Sequence, residues 1–212
     1  MKFKAFIFDV DGTLWDSVDV CVMSWNNAIS EHSNYPPVVT RDQLKCLFGK
    51  PMKEIFEAVF PGIPEEEQIR LAKYCEEYEN RMLKEIPGTP YPGVADTIRE
   101  LSKKADLYIV SNCQSGYMEA FLEHYGFKKY FEDMECFGNN GLRKGMNIKK
   151  IVERNQLTDA IYVGDIQGDY DATMEAGLAF IHAAYGFGTI AQETPVIRRF
   201  AELPEVVKAI LH

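Results

Sequence analysis

The sequence predicts an α/β protein: a parallel sheet with helices on both faces, interrupted after its first strand by an all-helical segment. Three observations predict it. The apolar run Phe6, Ile7 and Phe8 stops abruptly at two closely spaced acids, Asp9 and Asp11. Strand-like alternation is missing between about residues 17 and 85. Beyond residue 94, apolar strand runs and helical periodicities take turns, which implies right-handed crossovers and a parallel sheet.

Taken in order, the opening run reads as a strand buried on both faces. An extended backbone through Val10 puts the carboxylates of Asp9 and Asp11 on one side, and Gly12 lets the chain turn sharply. Helical spacing then connects Val18, Val20, Cys21, Val22, Trp25 and Ile29. It recurs in Leu44, Leu47 and Phe48, and again in Ile55, Phe56, Val59 and Phe60. After the Pro61–Pro64 break, Glu65, Glu66 and Glu67 suit the positive end of a long helix running towards Leu83. The turn-rich stretch from Pro87 to Gly93 closes this block. Helices are expected at 94–103, 118–125, 146–155, 170–176 and 203–211, and strands at 106–111, 160–164 and 178–182. The resulting plan is a Rossmann-like core of residues 1–15 and 87–212 with a helical cap of residues 16–86, hinged near 15–17 and 86–92.

Composition narrows the function. With 46% hydrophobic and 12% aromatic residues, the 212-residue chain can build a sizeable core, which argues against disorder. A net charge of −9 without a basic cluster argues against a nucleic-acid polymer as partner. The five cysteines, at 21, 46, 75, 113 and 136, are widely spaced and odd in number, as expected of reduced thiols. The four histidines are scattered, with no triad or metal-ligand spacing. There is no apolar run of membrane-spanning length and no signal-peptide core, so the expected location is cytoplasmic and no membrane partner is expected.

The acids are the centre of the functional reading. Two carboxylates ~4 Å apart repel by about 4 kcal/mol at an effective dielectric near 20, so a cation, a shared proton or good solvation must relieve them. Ligands of open α/β sheets bind at the carboxyl ends of the strands, where this pair would lie. Other strand ends are also polar. Residues 106–111 end in Ser111-Asn112, ordinary turn residues that could also donate to a phosphate oxygen. Residues 160–164 end in Asp165, with Asp169 four residues on, which could also cap a helix. Lys144 lies in the loop 139–145, where Arg143 competes with it for an anion.

Together these residues resemble the haloacid dehalogenase superfamily. Its four motifs are matched in order by Asp9-Val10-Asp11-Gly12-Thr13, by Ser111-Asn112, by Lys144, and by Gly164-Asp165 with Asp169. The helical block after the first motif is similar to the cap of the phosphoglycolate phosphatase and β-phosphoglucomutase branch. One departure is Gly145, where many relatives of that branch have proline after the lysine. The resemblance implies a Mg2+-dependent phosphatase acting on a small phosphorylated substrate. In it Asp9 is the nucleophile and Asp11 the general acid and base. Asp9, Asp165 and the Asp11 main-chain carbonyl are implied metal ligands, assisted by Asp169. Ser111, Asn112 and Lys144 are implied phosphate contacts. Lys50, in Phe48-Gly49-Lys50-Pro51, is the candidate contact to the leaving group, with an exposed helix-junction lysine as the equal alternative. Trp15, Trp25 and Tyr91 could line the pocket, although aromatics at such spacings are more often core. A phosphomutase is the alternative enzyme, and a phospho-acceptor receiver domain the alternative of another class.

Overall fold

The computed structural model describes residues 4–210. The chain runs β1 (Ala5–Phe8), β2 (Trp15–Asp16), α1 (Val18–His32), α2 (Arg41–Leu47), α3 (Met52–Val59) and α4 (Glu65–Glu85). There follow β3 (Thr89–Pro90), α5 (Val94–Leu101), β4 (Asp106–Ser111), α6 (Tyr117–His124), β5 (Asp133–Cys136), α7 (Phe137–Asn140) and α8 (Lys144–Arg154). The last elements are β6 (Ala160–Gly164), α9 (Gln167–Ala176), β7 (Ala179–Ala183), β8 (Val196–Ile197) and α10 (Leu203–Ala209). Leu211, the expected end of the last helix, and His212 lie outside the described residues.

Six strands form one parallel sheet in the order β5-β4-β1-β6-β7-β8. β1 sits inside it because its four residues are apolar and can be covered on both faces. Phe6 and Phe8 join Leu107, Ile109, Ile161 and Val163 in the core on one face, while Ala5 and Ile7 join Tyr108, Val110 and Tyr162 on the other. Each large side chain buried this way contributes roughly 1.5–3 kcal/mol. The chain leaves β1 for β4 on one side and later returns to β6 on the other. The carboxyl end of β1 is therefore the switch point where such sheets open a crevice.

The helices α1–α4 are inserted between β2 and β3. Trp25 of α1 packs on Phe56 of α3 at 5.3 Å between ring centroids, and Leu71 and Cys75 of α4 are fully buried in the same core. Thr40 and Gln43 form a reciprocal capping box at the start of α2. Both passages of the chain into and out of the insertion are clamped together: β2 and β3 pair antiparallel, Trp15 with Pro90 and Asp16 with Thr89.

Several elements differ from the sequence expectation, among them α7 and the two-residue strands β2 and β3, which it did not include. β5 was not expected, because Asp133 and Glu135 break up its apolar content. Pairing with β4 recruits it, and Arg154 of α8 neutralises both acids, at 2.7 Å and 2.9 Å. β8, two residues on the opposite edge, is too short to leave a periodicity. Lys144 is not in a loop but is the first residue of α8, and Gln167 rather than Tyr170 opens α9. A glycine in each first turn, Gly145 and Gly168, weakens the helical signal there.

Gly12 is held at φ +80°, and a Cβ there would lie 2.1 Å from Asp165 Oδ2. Gly12→Ala is therefore expected to destabilise the protein by about 1–3 kcal/mol through backbone strain and displacement of Asp165. Thermal unfolding checks this: Tm should fall by roughly 2–10 °C, and an unchanged Tm would contradict the close approach.

Candidate active site

The acids converge at the carboxyl ends of adjacent strands. Asp9 follows β1, Asp165 follows β6, and Asp169 stands in the first turn of α9. Carboxylate oxygens of all three lie within 4.8 Å of one another, and all three residues are buried. Lys144, also buried, reaches in from the start of α8. Its Nζ donates to Asp9 Oδ1 at 2.9 Å and to Asp169 Oδ1 at 2.6 Å. Arg143, its competitor in the sequence, is turned outward and pairs with Glu175 at 3.0 Å.

Main-chain donors complete the cluster. Asp169 Oδ2 accepts from the N–H groups of Asp165 and Ile166, at 2.9 and 3.1 Å. Asp165 accepts from the Phe187 N–H at 2.7 Å and from the Thr13 hydroxyl at 3.3 Å. Asp9 Oδ2, in contrast, is buried without a hydrogen-bond partner among the described residues. Burial pushes the Asp9 carboxyl up to about 7; Lys144 opposes this and Asp169 adds to it. Burial, with Asp169 and Asp9 nearby, also drives Asp165 well above the ordinary carboxyl range. For Lys144, burial acts against the charge, but Asp169 and Asp9 outweigh it and hold the ammonium well above its usual value.

This donor set fits a hard divalent cation. Three carboxylates share one buried point, one of their oxygens has no partner, and charge neutrality is not reached by Lys144 alone. The Asp11 carboxylate is not part of that convergence. Its Oδ1 accepts three hydrogen bonds, from Trp15 Nε1 at 2.9 Å, Ser17 Oγ at 2.7 Å and Tyr117 OH at 2.7 Å. Burial pushes Asp11 up to about 6, while the Ser17, Tyr117 and Trp15 donors act in the opposite direction.

Asp11 faces a cavity between the sheet and the helical insertion. Ser111 shares the core side of its lining, and Trp25, Lys50 and Glu79 come from the insertion. Its volume is only about 30 Å3, room for a water or two. Asn112 Nδ2 donates to the Gly49 carbonyl at 2.7 Å, which ties the loop after β4 to the insertion. Beside it, Phe48 stacks on Phe187 with centroids 5.8 Å apart. Tyr91 lies away from this lining and packs on Tyr185 at 4.8 Å.

Several residues around the site carry no motif. Tyr117 reaches Asp11 from 106 positions away, and Glu79 meets Gln114 at 2.6 Å across the insertion boundary. Ser17 and Trp15 carried a weak signal, since both follow Asp11 within six residues. Nothing local in the sequence marks Tyr117, Glu79 or Gln114.

Comparison with known proteins agrees with this architecture. The haloacid dehalogenase-like hydrolase signature matches residues 6–183. A phosphoglycolate phosphatase of Synechococcus elongatus is 29% identical over 87% of this chain and 85% of its own. One from Agrobacterium fabrum is 28% identical over 85% of this chain and 80% of its own. The crystal structure of a predicted phosphoglycolate phosphatase from Haemophilus somnus has the same fold, with a TM-score of 0.85, 23% identity, and coverage of 98% of this chain and 99% of that one. The signature spans the strand that ends in Asp9, the loop at Ser111, the helix of Lys144 and the turn at Asp165, and the chain belongs to the haloacid dehalogenase-like hydrolase family.

Proposed function

We propose that this protein is a magnesium-dependent phosphatase that releases phosphate from a small phosphorylated metabolite through an aspartyl-phosphate at Asp9. One observation carries the reading: the Asp9 carboxylate lies at the switch point, steadied through Oδ1 by Lys144, with its other oxygen unpartnered. The phosphatase relatives support the reaction class.

Asp9 attacks phosphorus, forming an oxygen–phosphorus bond as the bond to the leaving oxygen breaks. Asp11, whose pKa burial raises to about 6, gives that oxygen its proton and is left as a carboxylate while the alcohol departs. It then takes a proton from the water that attacks the aspartyl-phosphate, which returns Asp9 and releases phosphate. Trp15, Ser17 and Tyr117 keep Asp11 in one orientation through both steps. Lys144, Ser111 and Asn112 hold the peripheral phosphoryl oxygens. Asp9, Asp165 and the Asp11 main-chain carbonyl would hold the magnesium, assisted by Asp169, where it offsets the charge of the acids and of the phosphate.

Residues 16–86 act as a cap on the core formed by 1–15 and 87–212. A cavity of about 30 Å3 cannot admit a phosphorylated metabolite, since ligand pockets run to roughly 300–1,000 Å3. The cap therefore swings away for each substrate, and the β2–β3 ribbon is the place for the hinge.

Asp9→Asn should lower phosphate release by roughly 1,000-fold or more. Measured as inorganic phosphate from p-nitrophenyl phosphate, retained turnover would refute the nucleophile. Chelation should abolish the same activity and added magnesium should restore it; activity unaffected by chelator would remove the metal from the reading. Tyr117→Phe takes one donor from the Asp11 carboxylate, which raises its pKa further. Asp11 then stays protonated to higher pH, so the basic limb of the kcat/KM profile should move up by about one pH unit or less. A downward shift would show that Asp11 is not the acid.

A further inference from the structure

A larger cleft adjoins the small cavity at Asp11. Met52, Asn112 and Gln114 line both that cavity, of about 30 Å3, and a neighbouring space of about 260 Å3. Met52 and Phe137 also line the outer hollow that follows, of about 430 Å3, a volume within the roughly 300–1,000 Å3 that small ligands occupy. One wall of the cleft comes from the cap, through α3 and α4. The other comes from the core, through α7 and the loop after β4, so closing the cap completes it.

The outer hollow is apolar where a folded surface is ordinarily polar. Met52, Phe56 and Ala72 line it from the cap, together with Ile69, which is 61% exposed. Phe137 of the core is half-buried, yet it packs into neither of the two hydrophobic clusters. Apolar side chains left wet in a concave site of this size mark a place that a ligand covers. The charged residues of the lining balance, Lys53 and Lys73 against Glu65 and Glu76, and Lys53 is already paired with Glu65 at 2.7 Å. The hollow therefore favours an uncharged, apolar body. Met52, unbranched and with three rotatable bonds, is the lining residue best able to move aside between the hollow and the cavity.

We infer that this cleft holds the far end of the substrate, a phosphate monoester of an elongated apolar alcohol, with Met52 as the movable wall between the reacting end and the body. The cavity beside Asp11 then encloses only the ester oxygen and the carbon next to it. The inference rests on the phosphatase reading and narrows it to a substrate class.

The test compares kcat/KM of the full-length, magnesium-loaded enzyme on ethyl, butyl and hexyl phosphate, read as inorganic phosphate, with p-nitrophenyl phosphate as the reference ester. Each methylene that enters the cleft should raise kcat/KM by about threefold, so hexyl phosphate should exceed ethyl phosphate by roughly tenfold or more. Ala72→Phe fills the hollow, and Ile69→Asp places a charge in it. Each should cut the hexyl-to-ethyl ratio by roughly 3- to 10-fold. Ile69 is exposed, so its replacement leaves the core intact and the ratio readable. A wild-type rate that does not climb with chain length, or variants in which both esters fall equally, overturns the inference. If p-nitrophenyl phosphate is cleaved in an Asp9-dependent way while chain length has no effect, only the inference fails. If none of the esters is cleaved, the phosphatase reading falls and takes the inference with it.

Discussion

A single buried ammonium holds this site together. Lys144 touches two of the three acids that meet beyond β1 and β6, and it does so away from solvent. Each pair of like charges at such distances costs about 4 kcal/mol at an effective dielectric near 20. Uncompensated, three carboxylates would spread apart or take up protons. Lys144 cancels one charge, the main-chain donors to Asp165 and Asp169 soften two more, and Asp9 keeps one oxygen unsatisfied. The fold thereby holds three converging acids in a fixed shape and short of positive charge.

The sheet and the insertion divide the work. Strand ends supply the acids of the candidate site because a parallel sheet brings the carboxyl ends of β1, β4 and β6 to one side. The insertion meets the core through both kinds of contact: polar ones, Asn112 to Gly49, Gln114 to Glu79 and Asn80 to the Ser115 carbonyl, and apolar ones, Phe48 on Phe187 and a hydrophobic cluster shared by Cys21, Trp25 and Leu83 with Tyr117 and Phe121.

The legible part of this molecule was the part written locally. An apolar run that ends in Asp9, and another that ends in Asp165, are visible because strand and acid are neighbours in the chain. Lys144 was recognisable only through family resemblance, since a lysine beside an arginine has no pattern of its own; the fold separates them by pointing Arg143 at Glu175. β5 escaped because its acids are neutralised by Arg154, 19 and 21 positions away in the chain. Tyr117, Glu79 and Gln114 escaped for the same reason: their chemistry exists only once distant segments touch. Trp15 and Trp25 show both readings at once, with rings buried in the core and ring N–H groups turned to Asp11 and Glu79.

The β2–β3 ribbon also bears on how such a molecule could change over time. Because departure and return of the chain lie side by side, neighbouring strands being about 4.8 Å apart, the four helices between them are attached to the sheet like a flag to a pole. Lengthening, shrinking or replacing that flag leaves the register of β1, β4 and β6 untouched. The acids at the strand ends and the helices that wall them in can thus evolve on separate schedules within one chain.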